Sequence, residues 1–179
     1  MIETSRLRLT PFSRADFDLF VDNMLTDPGV VEHYHSYKGV ADTNIIRAQA
    51  EKDFWDHFED SRSNYDLQVW AAYEIDAPAT LVGWSALLHT ELSDRCGGAE
   101  IQFMLASSMH GKGYATEFAA AVIQDGLDNH AELDIIATVD IPNAGSIRVL
   151  EKLGLKRVGQ IEAYGSSEMF LYRLPKSPS

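Results

Sequence analysis

Ala99-Glu100-Ile101-Gln102-Phe103-Met104-Leu105, with His110-Gly111-Lys112-Gly113-Tyr114-Ala115-Thr116 just after it, is the stretch that decides the fold of this 179-residue chain. The first run alternates and reads as a strand. Beyond the glycines, Ala115, Phe118, Ala119, Val122 and Ile123 recur at helical spacing, which predicts an amphipathic helix. Gly111 and Gly113 let the backbone turn sharply and come close to a ligand. The first amides of the helix have no intrahelical acceptor and lie at the positive end of its dipole. Strand, glycine turn and helix together make a pyrophosphate site, although an ordinary connection has the same outline. A P-loop is excluded, because the four-residue spacer and the Lys-Ser/Thr pair are absent. A dinucleotide fingerprint is excluded too, because Thr116 stands where the third glycine belongs.

Downstream, Asp134–Val139 is a continuous apolar run and reads as a buried strand. Asn143 follows as a helix N-cap, Ile147, Leu150 and Leu153 form the helix face, and Gly154 closes it. Two further strands, 155–161 and 168–174, complete the chain before a frayed tail at 175–179. Upstream, Arg6–Pro11 alternates and is expected as an edge strand, since Pro11 cannot donate to a ladder. Ser13-x-x-Asp16 resembles a capping box and opens a helix carrying Phe17, Phe20, Val21 and Met24. Asp27-Pro28-Gly29 breaks that helix, and a short second helix would hold Val30, Val31 and Tyr34. A long helix is predicted over 42–60, with Ile46, Ala50, Phe54 and Phe58 on one face and Trp55 beside them. That stripe reads as core; an exposed aromatic edge there would border an acceptor site. Residues 67–75 and 81–89 form a hairpin, and 90–98 reads as a polar loop carrying Cys96.

The composition is that of one soluble globular domain over residues 1–179: 45% hydrophobic and 23% charged. The formal net charge is −12, from 27 acidic and 15 basic residues. This disfavours nucleic acid as a partner, which needs clustered Lys and Arg. It suits a cationic acceptor, and equally it suits solubility alone. No apolar run approaches a membrane span, and residues 1–6 lack the order of a signal peptide. A single cysteine excludes an internal disulfide and fits a reducing, cytoplasmic setting. As a nucleophile Cys96 would need an activating base, and no signature for one is present. His33-Tyr34-His35 does not form a metal site: two histidines two apart share no helix face, and no ligand set completes them. With Tyr37 they read as lining a surface or an acceptor pocket. No metal is expected.

Two motifs carry a family resemblance. The loop, with Gly113 and Ala115 in register, resembles the Gln/Arg-x-x-Gly-x-Gly/Ala loop of the GNAT superfamily of N-acyltransferases, with His110 in the Gln/Arg position. Asn143-Ala144-Gly145-Ser146-Ile147-Arg148-Val149-Leu150-Glu151-Lys152-Leu153-Gly154-Leu155 resembles the Asn-x-x-Ser-x-x-x-x-Glu-Lys-Leu-Gly-Phe signature of its RimJ/RimL-like branch, with Leu155 replacing Phe. Arg6-Leu7-Arg8-Leu9-Thr10-Pro11-Phe12 and Asp27–Val31 resemble the same branch. The resemblance implies an α/β (α+β) GNAT fold, a mixed and mostly antiparallel sheet flanked by helices. The co-substrate, acetyl-CoA, would lie between two splayed strands, here 99–105 and 134–139.

The same resemblance implies acetyl transfer to a primary amine, either a protein or peptide N-terminus or a small molecule. Residues 110–116 would hold the pyrophosphate, Phe103, Met104 and Leu105 would take the rest of CoA, and Asn143 would hold the pantetheine arm, the acceptor or both. Glu100 would be the base, and Ser146 would protonate the departing thiolate. Without the resemblance Glu100 is a solvated or ion-paired strand residue, Ser146 a first-turn serine and Asn143 a simple cap. Tyr164 is an alternative acid or a packing residue. Other readings are an acyl-CoA-binding or partner-binding module without turnover, and a nucleotide-binding protein using the same turn. The resemblance leaves room for a homodimer.

Overall fold

The computed structural model describes residues 1–31, 40 and 42–175. His33, Tyr34, His35 and Tyr37 lie outside the described residues, as does the tail from 176.

Eight strands form one sheet in the order β1 (Ile2–Glu3), β2 (Leu7–Pro11), β3 (Val69–Glu74), β4 (Leu81–Leu88), β5 (Ala99–Leu105), β6 (Ile135–Asp140), β8 (Ser166–Arg173) and β7 (Lys156–Ala163). All neighbours are antiparallel except β5 and β6. That parallel pair is joined at two positions only, Ala99↔Ile135 and Glu100↔Ile136. Beyond Glu100 the two strands part, and β5 keeps its β4 partner through Leu105. The splay expected between 99–105 and 134–139 is therefore present.

Alternation along β5 decides what lies on each side of this seam. Ile101 and Leu105 join the core under α5 (Tyr114–Asn129), with Phe118, Ala119, Val122 and Ile123. Met104 faces the other core, under α1 (Arg14–Phe20) and α3 (Thr43–Tyr65). In that second core Phe12, Phe20, Phe54, Phe58 and Trp84 meet mostly edge to face or tilted, with Phe20 and Phe54 stacked, at centroid separations such as 5.6 Å for Phe54–Trp84 and 6.2 Å for Phe12–Phe20. Each fully buried ring contributes roughly 1.5–3 kcal/mol over an exposed one, so both sheet faces are firmly covered. Trp55 belongs to this packing. It lies against Phe12 and Phe17, and the Arg14 guanidinium sits 4.4 Å above its ring.

The elements correct the sequence reading in four places. First, β2 is not the edge strand, because the two-residue β1 covers Arg8 and Leu9; Pro11 lies past that cover. Second, the first helix gives way at Val21–Leu25 to a π turn before α2 (Pro28–Val31) begins. Third, α3 runs to Tyr65, five residues beyond the expected end, until Asp66 adopts φ 54° and ends it. Fourth, the expected loop at 90–98 contains α4 (Glu91–Cys96). Thr90 accepts from the Leu92 N–H, and Ser93 closes the reciprocal cap. Helix α4 is held by tertiary packing rather than by propensity: Leu92 is fully buried against a small third core with Ile136 and Met169. Asn143 caps α6 (Ala144–Lys152), and Gly154 follows that helix at φ +87°.

Candidate active site

The loop before α5 is shaped by two glycines in the left-handed region, Gly111 at φ +75° and Gly113 at φ +83°. Gly113 is the N-cap of α5 and brings no side-chain oxygen to it, so the helix's first N–H groups are left open to an external anion. A Cβ at Gly111 would meet nothing within 4 Å, which marks the outer face of the loop as open. His110 and Lys112 are exposed there. Tyr114 turns inward instead, and its hydroxyl donates to Glu74 at 2.6 Å. Its part in the loop is therefore its backbone.

An acidic residue, Glu117, sits in the first turn of α5, where it would repel a phosphate. The chain neutralises it. Its carboxylate accepts from the Thr4 hydroxyl at 2.6 Å, the Ser5 hydroxyl at 3.0 Å, the Arg6 N–H at 2.9 Å and the Arg6 Nε at 2.7 Å. Partial burial pushes this carboxyl up, but the donors outweigh it and hold the pKa below the ordinary value. Arg6 also donates to the Lys112 carbonyl at 2.9 Å and lies 4.4 Å over the Tyr114 ring. Residues 4–6 thus clamp the loop to the β1–β2 connection. A second tie comes from Asp27, which accepts from Ser107 just before the loop and from the Gly29 N–H at 2.9 Å.

The splay supplies a second feature. With no β6 partner beyond Glu100, the backbone of Phe103, Met104 and Leu105 is unpaired on its β6 side among the described strands. An extended polar chain could pair there as a further strand does. Asn143 caps α6, its Oδ1 accepting the Ser146 N–H at 3.0 Å. The Ser146 hydroxyl, in the first turn of α6, has no hydrogen-bond partner among the described residues.

Glu100 marks the vertex of the splay and is only 1% exposed. It is shut away from water, and among the described residues it has no ion-pair partner. Oε1 accepts from Thr138 at 2.7 Å; Oε2 accepts from Thr90 at 3.1 Å, Gln102 at 3.1 Å and Tyr164. A carboxylate offers about four acceptor sites, and a charge this deeply buried persists only when it is so bonded. The three hydroxyls and one amide come from α4's cap, β5, β6 and the β7–β8 turn. No hydrogen bond links Glu100 to Ser146 among the described residues. From Ile136, opposite Glu100, β6 runs on to Asp140, about 13 Å of strand, before α6 begins.

Sequence reasoning missed Thr90, Gln102 and Thr138, and left Tyr164 undecided. Tyr164 and Gly165 are the two residues between the paired Ala163 and Ser166, at φ +51° and +73°. Such two-residue hairpins favour Asn-Gly. A tyrosine held at positive φ costs about 1–2 kcal/mol, and backbone strain of this kind collects at functional sites. Burial first, then the Glu100 carboxylate beside it, raises the Tyr164 pKa far above the usual phenol value.

A glycine loop leading into a helix and a gap between parallel strands fit a CoA-type ligand. Residues 6–156 match the family model described as the acetyltransferase (GNAT) domain. The chain belongs to the GNAT acetyltransferase family. As a GNAT acetyltransferase it is 25% identical over 152 residues to the uncharacterized protein YkkB of Bacillus subtilis (strain 168), covering 85% of this chain and 83% of that one. Its fold is that of Vibrio cholerae spermidine N-acetyltransferase in complex with CoA and spermine, at TM-score 0.62, 18% identity and coverage of 95% and 94%. The ribosomal L7/L12 α-N-protein acetyltransferase RimL in complex with CoA superposes at TM-score 0.72, with 11% identity and the same coverage, 95% and 94%. Family membership replaces the nucleotide-binding reading of the glycine turn. No helix among the described residues is long and apolar enough to cross a membrane.

Proposed function

We propose that this GNAT acetyltransferase moves the acetyl group of acetyl-CoA to the nitrogen of a primary amine by direct attack. The observation that carries the reading is Glu100, a buried, fully bonded carboxylate at the vertex of the strand gap. An ammonium cannot attack a thioester until it loses a proton, and Glu100 is the acceptor for that proton. Residues 110–116 hold the pyrophosphate through the open α5 amides, with Lys112 and His110 adding charge. The free backbone edge of Phe103, Met104 and Leu105 holds the pantetheine arm. Asn143 contributes by fixing the first turn of α6. Ser146 donates its proton to sulfur as the C–S bond breaks and recovers one from the attached nitrogen.

The acceptor class we favour is a cationic amine, a peptide N-terminus or a small molecule, in line with the net charge of −12. The motifs at 110–116 and 143–155 support a RimJ/RimL-like assignment, and the single cysteine supports a cytoplasmic role. The test is acetyl-CoA with a panel of spermidine, benzylamine and short peptides with free N-termini, read by mass. An acetylated amine with release of free CoA is expected. An inert protein that still binds CoA would sink the transfer reading. Ser146→Ala should lower kcat by ~10²-fold with acetyl-CoA affinity nearly unchanged, because the lost interaction forms in the transition state.

A further inference from the structure

A carboxylate that is 1% exposed cannot touch an incoming amine, so Glu100 needs an intermediary. Its four donors differ in fitness for this. Thr90 is buried at 3% exposure, and the Gln102 amide does not pass protons readily. Thr138 is partly open but is an aliphatic alcohol, a far weaker acid than a phenol. Tyr164 is half-buried, sits at a hairpin tip, and donates to Oε2. It also stands in a backbone conformation that a tyrosine adopts only under constraint.

We propose that Tyr164 is a catalytic relay: its hydroxyl oxygen takes the proton of the bound ammonium while its own proton passes to Glu100 Oε2. This rests on the amine-transfer reading above. The balance is simple. One N–H bond and one phenol O–H bond break, and one phenol O–H and one carboxyl O–H form. Ammonium becomes amine, carboxylate becomes carboxylic acid, and Tyr164 remains a phenol throughout. The concerted shift suits a phenol whose separate ionisation is suppressed by burial and by the neighbouring carboxylate. Glu100 returns the proton to solvent by the reverse path after the acetylated product leaves.

The test compares Tyr164→Phe, Tyr164→Asn and Glu100→Gln, each with acetyl-CoA and an amine from the panel that the wild type acetylates. Tyr164→Phe keeps the ring and the turn and removes only the hydroxyl. Its kcat/KM should fall by ~10²-fold, its acid limb should vanish as in Glu100→Gln, and CoA affinity should hold. The double variant should be no slower than Glu100→Gln alone, because the two groups act as one path. Tyr164→Asn, which relieves the positive φ while removing the bond to Glu100, should lose the same activity. Wild-type kcat/KM in Tyr164→Phe, or additive losses in the double variant, overturns the relay. So does a fall in Tm in both Tyr164 variants with the acid limb unmoved. A wild type that acetylates none of the amines overturns the transfer reading instead, and the relay with it.

Discussion

The glycine loop and the Glu100 cage do different jobs and are built in opposite ways. The loop is one contiguous run, 110–116, shaped by positive φ at two glycines and exposed to solvent. The cage gathers donors from residues 90, 102, 138 and 164 around a carboxylate shut away from water. Binding an anion needs open amides, which local backbone geometry provides. Taking a proton from an amine needs a group whose surroundings are fixed on every side, which only tertiary structure provides. Damage to the loop should therefore appear in CoA affinity, and damage to the cage in the pH profile.

The largest break in that comparison comes from Glu100→Gln. It removes the proton acceptor and turns an NH2 group toward donors, so kcat/KM should fall by ~10²–10⁴-fold and the acid limb should go. Leaving hydroxyls unmatched should also cost about 1–3 kcal/mol of stability, measured by denaturant unfolding. CoA binding by calorimetry should remain; its loss would mean that the two regions are one.

Gly113→Val attacks the other side. A β-branched residue at φ +83° is strained by about 1–2 kcal/mol, and its side chain rises 3.6 Å from the Arg6 guanidinium. CoA Kd should rise tenfold or more, with the acid limb of any residual activity unshifted.

Arg6→Ala loosens the loop without reshaping it. Arg6 is 45% exposed against 14% for Glu117, so the ion pair itself is worth little. The loss lies in an uncovered carboxylate beside the phosphate site. Acetyl-CoA KM should rise about three- to tenfold while kcat stays, the pattern of weakened uniform binding. A changed kcat would place Arg6 closer to the chemistry. The clamp also has a pH signature. The Glu117 pKa is lowered on folding, so its stabilising share is complete above the unfolded carboxylate value, about 4.3. It is lost as pH falls through the folded value. Stability to denaturant measured downward from pH 5 should fall in wild type and fall less in Glu117→Gln.

His110→Ala is the smallest change. His110 is exposed and is one side chain among several backbone amides, so Kd should shift by no more than about threefold, within 1 kcal/mol.

Legibility in the sequence follows the same division. Strand β5, the loop and α5 were readable because hydrophobic period and glycines act locally. Asn143 and Gly154 marked both ends of α6 for the same reason. Helix α4 was missed because six residues are too few for a periodic signal, and its single buried anchor, Leu92, is explained only by Ile136 across the fold. The two-residue β1 has no pattern to read. Glu100 was found through the motif, but its burial was not, since nothing near residue 100 announces that Thr138 and Tyr164 will close over it. The positive φ of Tyr164 was equally hidden, because Ala163 and Gly165 give no sign of how tight the turn between β7 and β8 is.

The two-pair seam between β5 and β6 divides the sheet mechanically. Strands β1 to β5 form one ladder, and β6, β8 and β7 form another; at the sheet level Ala99↔Ile135 and Glu100↔Ile136 are the stitches between them. The bonds from Thr138 and Tyr164 to Glu100 cross that seam as rivets. Amide exchange should then resolve two cooperative units whose openings differ in free energy. Cutting either rivet should lower protection across 135–173 before it touches 69–88. A group placed to accept a proton would in this way also set how far the molecule can flex about its own cleft.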